Sequence, residues 1–246
     1  MPGYKTKQEQ IAVAGVADLT IRSLLDRQQF FDPFGEADRR GISSATWPLF
    51  GLLWPSGLYL ATRLAARPVR AGERILEMGC GLALASLVGH RRGADVTASD
   101  CHPLAAAFLR HNLRLNGLAP MQFRYGDWGA RPTQRLRHRT LGGRTVHGRF
   151  DLLIGSDLLY ERDERSALAG FIGRHAAAFA EVWIVDPDRG NRPAFNRQMA
   201  ALGFVRDEER LSAGAGPSSA AYKGRMLTFR RVGDVAAAPR LAAGTS

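Results

Sequence analysis

Four acids and a pair of glycines carry the chemistry that this sequence could do. In Glu77-Met78-Gly79-Cys80-Gly81 the two glycines stand where a short apolar run, residues 74–78, gives way to a helical run, residues 82–90. Glycine lets backbone approach a ligand that a Cβ would block, and the start of a helix offers unpaired N–H groups. Asp100 follows a second apolar run, residues 95–99. It lies about 20 positions beyond the glycines, where a carboxylate can accept hydrogen bonds from both hydroxyls of a ribose. Strand, glycine turn, helix and strand make a nucleotide-binding unit. The dinucleotide fingerprint asks for a third small residue at position 84, and Leu84 stands there, which argues against NAD. The plainer alternative for the turn alone is a tight strand-to-helix connection.

Two further constellations fall where later strands should end. Residues 121–125 predict a short strand closing on Gly126-Asp127-Trp128-Gly129, in which Asp127 can accept from an adenine amino group and the Trp128 indole can cover the base. Residues 150–155 read as a strand buried on both faces, running into Ser156-Asp157-Leu158-Leu159-Tyr160. Asp157 there can hold an ammonium and orient its nitrogen, and Tyr160 returns over the same face if the residues between make one helical turn. The other reading is that Asp157 caps the next helix and Tyr160 packs beneath it.

The elements that must position these groups follow from periodicity. Helices are predicted over 55–66, with Pro55 in the first turn, and over 103–115, 167–179 and 195–202. A fifth strand is predicted over 182–185, and paired strands over 204–208 and 226–232. The expected fold is α/β: a Rossmann-like, seven-stranded, mostly parallel sheet with helices on both faces and a terminal antiparallel strand pair. Residues 1–45 are expected to form an N-terminal helical leader, with a small strand over 11–19 and a helix over 21–31. The catalytic unit is expected over 46–232, and residues 233–246 as a disordered tail. In such a sheet the chemistry-bearing groups at successive strand ends share one crevice.

The residues also resemble a known family. Glu77-x-Gly79-x-Gly81 resembles the first motif of the class I S-adenosylmethionine (SAM) methyltransferases. Trp54-Pro55, Asp127-Trp128-Gly129 and Asp157-x-x-Tyr160 resemble the seven-β-strand protein-lysine methyltransferases, including those acting on the electron transfer flavoprotein β-subunit. The proline pair that amino-methylating enzymes of nucleic-acid bases carry beside this tyrosine is absent. The resemblance implies SAM as cofactor, a protein lysine as acceptor, and Asp157 and Tyr160 as the catalytic pair. It also implies that Trp54, Glu77, Gly79, Cys80, Gly81, Asp100, Asp127, Trp128 and Ser156 line the cofactor. A small-molecule or nucleic-acid acceptor, and a non-catalytic SAM- or NAD-binding module, are the alternatives.

Composition bounds this reading. The 246 residues, 45% hydrophobic and 23% charged, suit one soluble α/β domain. No apolar run reaches the roughly 20 residues of a membrane span, and the N-terminus lacks a signal-peptide core, so the cytoplasm is the expected location. The net charge of +11 would suit a polyanion, yet Lys5, Lys7 and Lys223 are the lysines, and the arginine excess with abundant alanine and glycine is also what GC-rich codon usage produces. A protein partner is therefore expected over nucleic acid. The basic stretch 131–149 is expected at the crevice rim, selecting acidic surface around the acceptor. Cys80 and Cys101 are expected as reduced thiols, and the scattered histidines predict no metal site.

Overall fold

The computed structural model describes residues 3–126, 128, 145–159, 166–188, 190–214 and 221–231. Its strands are β1 (Thr6–Ile11), β2 (Leu19–Leu24), β3 (Arg74–Met78), β4 (Asp95–Asp100), β5 (Gln122–Tyr125), β6 (Phe150–Ser156), β7 (Ala176–Asp186), β8 (Phe204–Ala213) and β9 (Tyr222–Arg231). The α-helices are α1 (Pro55–Ala66), α2 (Leu84–Arg91), α3 (Ala105–Leu115), α4 (Ala167–His175) and α5 (Arg192–Ala201). The main sheet has seven strands in the order β5-β4-β3-β6-β7-β9-β8. Its first five are parallel, whereas β9 runs antiparallel to both β7 and β8. The expected fold class is observed.

Alternation along the strands divides the core into two layers. Ile75, Val96, Ala98, Leu152, Ile154, Trp183 and Val185 pack with α1, α2 and α3 on one face. Leu76, Met78, Leu153, Val182, Ile184, Leu227 and Phe229 pack with α4 and α5 on the other. A strand whose residues alternate between two buried faces reads as a continuous apolar run, which is why β3 and β6 stand out in the sequence. Helix α1 opens on Pro55, and the extended backbone of Trp54 (φ −108°, ψ 140°) is what a residue before proline requires.

The helix expected over 21–31 does not form. Residues 19–24 are instead the second strand of a hairpin with β1, and Leu19, Ile21 and Ser23 face inward at a spacing of two. The edge of β2 is closed by side chains of α3 and of the residue that caps its C-terminus. The N–H of Arg22 donates to Asn112 Oδ1 and that of Thr20 to Asn116 Oδ1, both at 2.8 Å. Asn112 Nδ2 and Asn116 Nδ2 donate back to the carbonyls of the same two residues. Two carboxamides four residues apart on one helix face thus stand in for a neighbouring strand. The leader is a hairpin rather than helical, and of the strand expected over 11–19 only the paired ends Ile11 and Leu19 are extended, while residues 12–18 form the connection.

The helix expected over 167–179 also stops early, at His175, because the alanine run beyond it joins β7. Ala176 pairs with Phe150, and its carbonyl accepts from Arg149 Nη1 at 2.8 Å and from Arg231 Nη2 at 2.7 Å. Helix propensity in alanine gives way to the sheet's need for a partner.

Candidate active site

The glycine turn connects β3 to α2 at the C-terminal edge of the parallel strands. Gly79 (φ +59°) and Gly81 (φ +52°) are both left-handed, so each needs glycine for its backbone. Their neighbours are protein atoms. A Cβ on Gly79 would lie 2.7 Å from Leu158 Cδ2 and 3.2 Å from the Trp128 ring, and one on Gly81 would lie 2.8 Å from the Phe50 carbonyl oxygen. The glycines let the turn pack tightly against the segments that wall the cavity, beyond the ligand approach expected of them.

Both acids at this end are buried and held. Glu77 Oε2 accepts from the Ser86 N–H at 2.8 Å and from the Ser86 hydroxyl, so the carboxylate caps the first turn of α2 from beneath. Burial, against the Ser86 hydrogen bonds and with help from the Asp100 charge, pushes Glu77 up to about 7. Asp100 Oδ2 accepts from the Gly81 N–H at 2.8 Å and Oδ1 from the His102 N–H at 2.7 Å. Burial raises its pKa despite these donors. Burial, with the charges of Asp100 and Glu77, also pushes the Cys80 thiol well up, so it is inert.

These groups line a single cavity of about 380 Å³ with Trp54, Gly79, Cys80, Gly81, Trp128, Ser156 and Asp157. Of the expected site residues, Asp127 and Tyr160 lie outside the described residues, as does the 131–144 part of the basic stretch. The rest meet in this cavity. Asp157 continues the ladder beyond β6 through its N–H to the Val185 carbonyl at 2.9 Å, then turns left-handed at φ +57°. That conformation is uncommon for a residue with a Cβ and tolerated best by Asp, Asn and Gly. Ser156 reaches toward the start of α1, where a Cβ on Gly57 would lie 3.6 Å from its Oγ.

The other wall comes from residues that the motifs do not mark. Arg40, Ile42, Thr46, Leu49, Phe50, Leu52 and Leu53 all line the cavity, in the segment between the hairpin and α1. Phe50 stacks on His102 at 3.7 Å, with Trp47 edge-on to the same imidazole at 5.4 Å. Burial, assisted by the Arg40 charge, pushes His102 down to about 3, so the stacked ring is neutral. Arg40 lies over the Tyr125 ring at 4.6 Å and donates to the Cys101 carbonyl at 3.1 Å. Trp54 is fixed by its Nε1–H to the Leu49 carbonyl at 3.0 Å, and Arg27 covers its ring at 5.0 Å. The dense aromatic content of residues 46–55 was the available signal for this wall; its placement over the cavity had none.

An α/β sheet of this order, with its last strand inserted antiparallel, decides the fold. The magnesium protoporphyrin IX methyltransferase of Synechocystis PCC 6803, solved with bound SAM, superposes with a TM-score of 0.53 over 72% of this chain and 78% of that one, at 17% identity. The chain has the class I SAM-dependent methyltransferase fold. By sequence this methyltransferase-fold chain is similar to the electron transfer flavoprotein β-subunit lysine methyltransferase of Rattus norvegicus, 26% identical over 77% of this chain and 69% of the relative. It is also similar to the ribosomal protein L11 methyltransferase of Thermosipho africanus, 27% identical over 57% of this chain and 55% of that one. Matches to the flavoprotein-subunit methyltransferases span between 30% and 69% of the relative's length. No family model matches the chain. Among the described residues no group of three His, Cys, Asp or Glu could hold a metal ion, and no helix is long and apolar enough to cross a membrane.

Proposed function

We propose that this protein is a SAM-dependent methyltransferase whose acceptor is an amine, the side chain of a protein lysine. The observation that carries the proposal is the shared cavity: the glycine turn, its acids Glu77 and Asp100, and Ser156 and Asp157 at the end of β6 all line it. The chemistry of the donor set fits the cofactor. SAM brings hydroxyls, an amino group and a sulfonium, and the cavity offers buried carboxylates at Glu77 and Asp100 with apolar walls from Phe50, Leu53 and Leu82. Its volume of about 380 Å³ lies within the range of small-molecule sites. A cationic ligand relieves the repulsion that two buried acids otherwise sustain.

When bound, the cofactor supplies a methyl carbon open to in-line displacement by a nitrogen lone pair. The chain's own contribution is placement. Asp100, with its oxygens fixed by backbone N–H groups, would receive the ribose hydroxyls on its remaining lone pairs. Trp54, Phe50 and Leu49 exclude water and strengthen the electrostatics inside. Asp157 would hold the incoming ammonium and orient the nitrogen. Because a carboxylate favours the protonated amine, Asp157 positions rather than deprotonates, and the proton leaves to solvent or to a neighbouring group. The lysine acceptor is also supported by likeness to lysine methyltransferases from animals and to the calmodulin-lysine N-methyltransferase of Arabidopsis thaliana.

The test is incubation of the purified protein with methyl-labelled SAM and a soluble extract of the source cells, followed by hydrolysis of the labelled product. Label recovered as methyl-lysine is expected. Label confined to RNA or to small molecules overturns the acceptor. Failure to bind SAM in a calorimetric titration overturns the activity.

A further inference from the structure

The edge of the sheet opposite the cavity gathers arginines that meet no acid. Strand β3 begins there on Arg74, Arg149 stands one residue ahead of β6, and the antiparallel β9 ends there on Arg231. Arg149 is the last residue of the basic stretch expected at the crevice rim, so this end of the stretch lies on the far side of the sheet instead. Arg149 Nη1 and Arg231 Nη2 donate to the same oxygen, the Ala176 carbonyl, at 2.8 and 2.7 Å, and Arg231 Nη2 also donates to the Ala177 carbonyl at 2.6 Å. Arg74 Nη1 donates to the Arg149 carbonyl at 2.9 Å. Two guanidiniums are thus pinned around one oxygen, with a third on the neighbouring strand.

The charges at this edge do not balance. Arg230, one position before Arg231, meets Glu181 at 3.2 Å, whereas Arg74, Arg149 and Arg231 make no ion pair among the described residues. The Asp151 carboxylate is nearby and takes the backbone N–H of Arg74 at 2.9 Å. A plainer role for the arginines is to cap α4, which ends at His175, and a helix C-terminus carries about half a negative charge. Three cations against one carboxylate and that half charge leave a surplus. Burial and the Arg149 charge lower the pKa of Arg231, as expected of a cation held beside another. The donor inventory agrees, because the carbonyls take Nη2 of Arg231 and one N–H each from Arg149 and Arg74, and the other guanidinium N–H groups have no acceptor among the described residues. Arg74 and Arg149 are exposed and Arg231 is half-buried, so the cluster is open to a ligand.

We propose that Arg149 and Arg231, with Arg74 beside them, form a binding site for a phosphate group on the edge of the sheet opposite the methyl-transfer cavity. A carboxylate has two oxygens and is matched by one guanidinium fork, whereas a phosphate can accept from two forks at once. The site shares no residue with the cavity, so it stands or falls apart from the methyltransferase reading. A free phosphate monoester and the backbone of a nucleic acid offer the same chemistry.

The test is thermal melting of the full chain titrated with inorganic phosphate at constant ionic strength, for the wild type and for Arg149→Gln. The substitution removes one charge while the Ala176 carbonyl keeps its bond from Arg231, so the fold is retained. A saturable rise in Tm is expected for the wild type, with the apparent phosphate affinity about tenfold weaker in the variant, as one charge-assisted hydrogen bond implies. Without phosphate the variant should melt at or above the wild-type temperature, because a repulsion is gone. SAM affinity, read by calorimetry, should be the same in both proteins. Arg74→Gln should weaken the phosphate response by less. An added oligonucleotide that displaces phosphate assigns a nucleic-acid backbone as the source, and one that does not assigns the monoester. A capping role alone would lower the Tm of Arg149→Gln and leave phosphate without effect. That result, or an equal phosphate response in the wild type and Arg149→Gln, overturns the proposal.

Discussion

Replacing Glu77 with Gln should change how the ligand-free protein responds to pH. Glu77 is 4% exposed, with Asp100 close enough to oppose its charge. The unfolded chain loses this proton near 4.5, whereas the folded protein keeps it until about 7. Between those values the folded state binds more protons than the unfolded one, so stability falls as pH rises from 4.5 to 7 and is flat above. The difference amounts to about 3 kcal/mol, a sizeable share of a typical domain's stability. A glutamine oxygen can still accept from both Ser86 donors, at the loss of roughly 1 kcal/mol of charge assistance. Urea denaturation at pH 5 and pH 8 should therefore show the wild type losing about 3 kcal/mol more than Glu77→Gln across the interval, with the variant the more stable at pH 8. Parallel pH profiles for the two proteins would refute the claim that Glu77 is held against its ionised form. A cationic ligand should reverse the order, since it stabilises the carboxylate and finds no charge in the amide.

Asp100→Ala should weaken SAM binding at least tenfold in calorimetry, because it removes charge-assisted bonds worth roughly 1.5 to 3 kcal/mol each and leaves the N–H groups of Gly81 and His102 without their acceptor. Asn116→Ala strips the edge of β2 of two hydrogen bonds and should cost about 1 to 3 kcal/mol, seen as faster amide exchange at Thr20 with little change at β3. Asp157→Asn keeps a residue that tolerates the left-handed turn but cannot act as counter-ion to an ammonium. It should fold, bind SAM normally and lose most methyl transfer; near-wild-type turnover would return Asp157 to a structural role.

What could be read from the sequence was what local rules determine. The β3 bounds, the opening of α1 on Pro55 and the antiparallel end of the sheet were legible because apolar runs, proline and glycine act over a few residues. The hairpin was not. Residues 19–24 alternate at a spacing of two, but Ile21, Leu24 and Leu25 also fit a helical stripe, and the deciding hydrogen bonds come from Asn112 and Asn116, some 90 positions away. Likewise no local rule places Arg40, Phe50 or the neutral His102 at the cavity, since each is positioned by contacts between the segment before α1 and the residues just after β4 or at the end of β5.

The contacts of Leu158 connect the two ends of the candidate site. Its Cδ2 fills the space that a Cβ on Gly79 would need, and its Cδ1 lies where a Cβ on Gly155 would go. One side chain thus wedges the glycine turn at the end of β3 against the end of β6, one residue after Asp157. A buried leucine makes tens of contacts at van der Waals distance, so the separation between the turn and Asp157 is held by packing on both sides rather than by a flexible loop. In-line transfer demands that precision, since an ångström of misplacement costs on the order of a hundredfold in rate. The left-handed turn at Asp157 (φ +57°) belongs to the same arrangement, since it lies between the end of β6 and the Leu158 side chain packed against Gly79, and Asp157 lines the cavity at that bend.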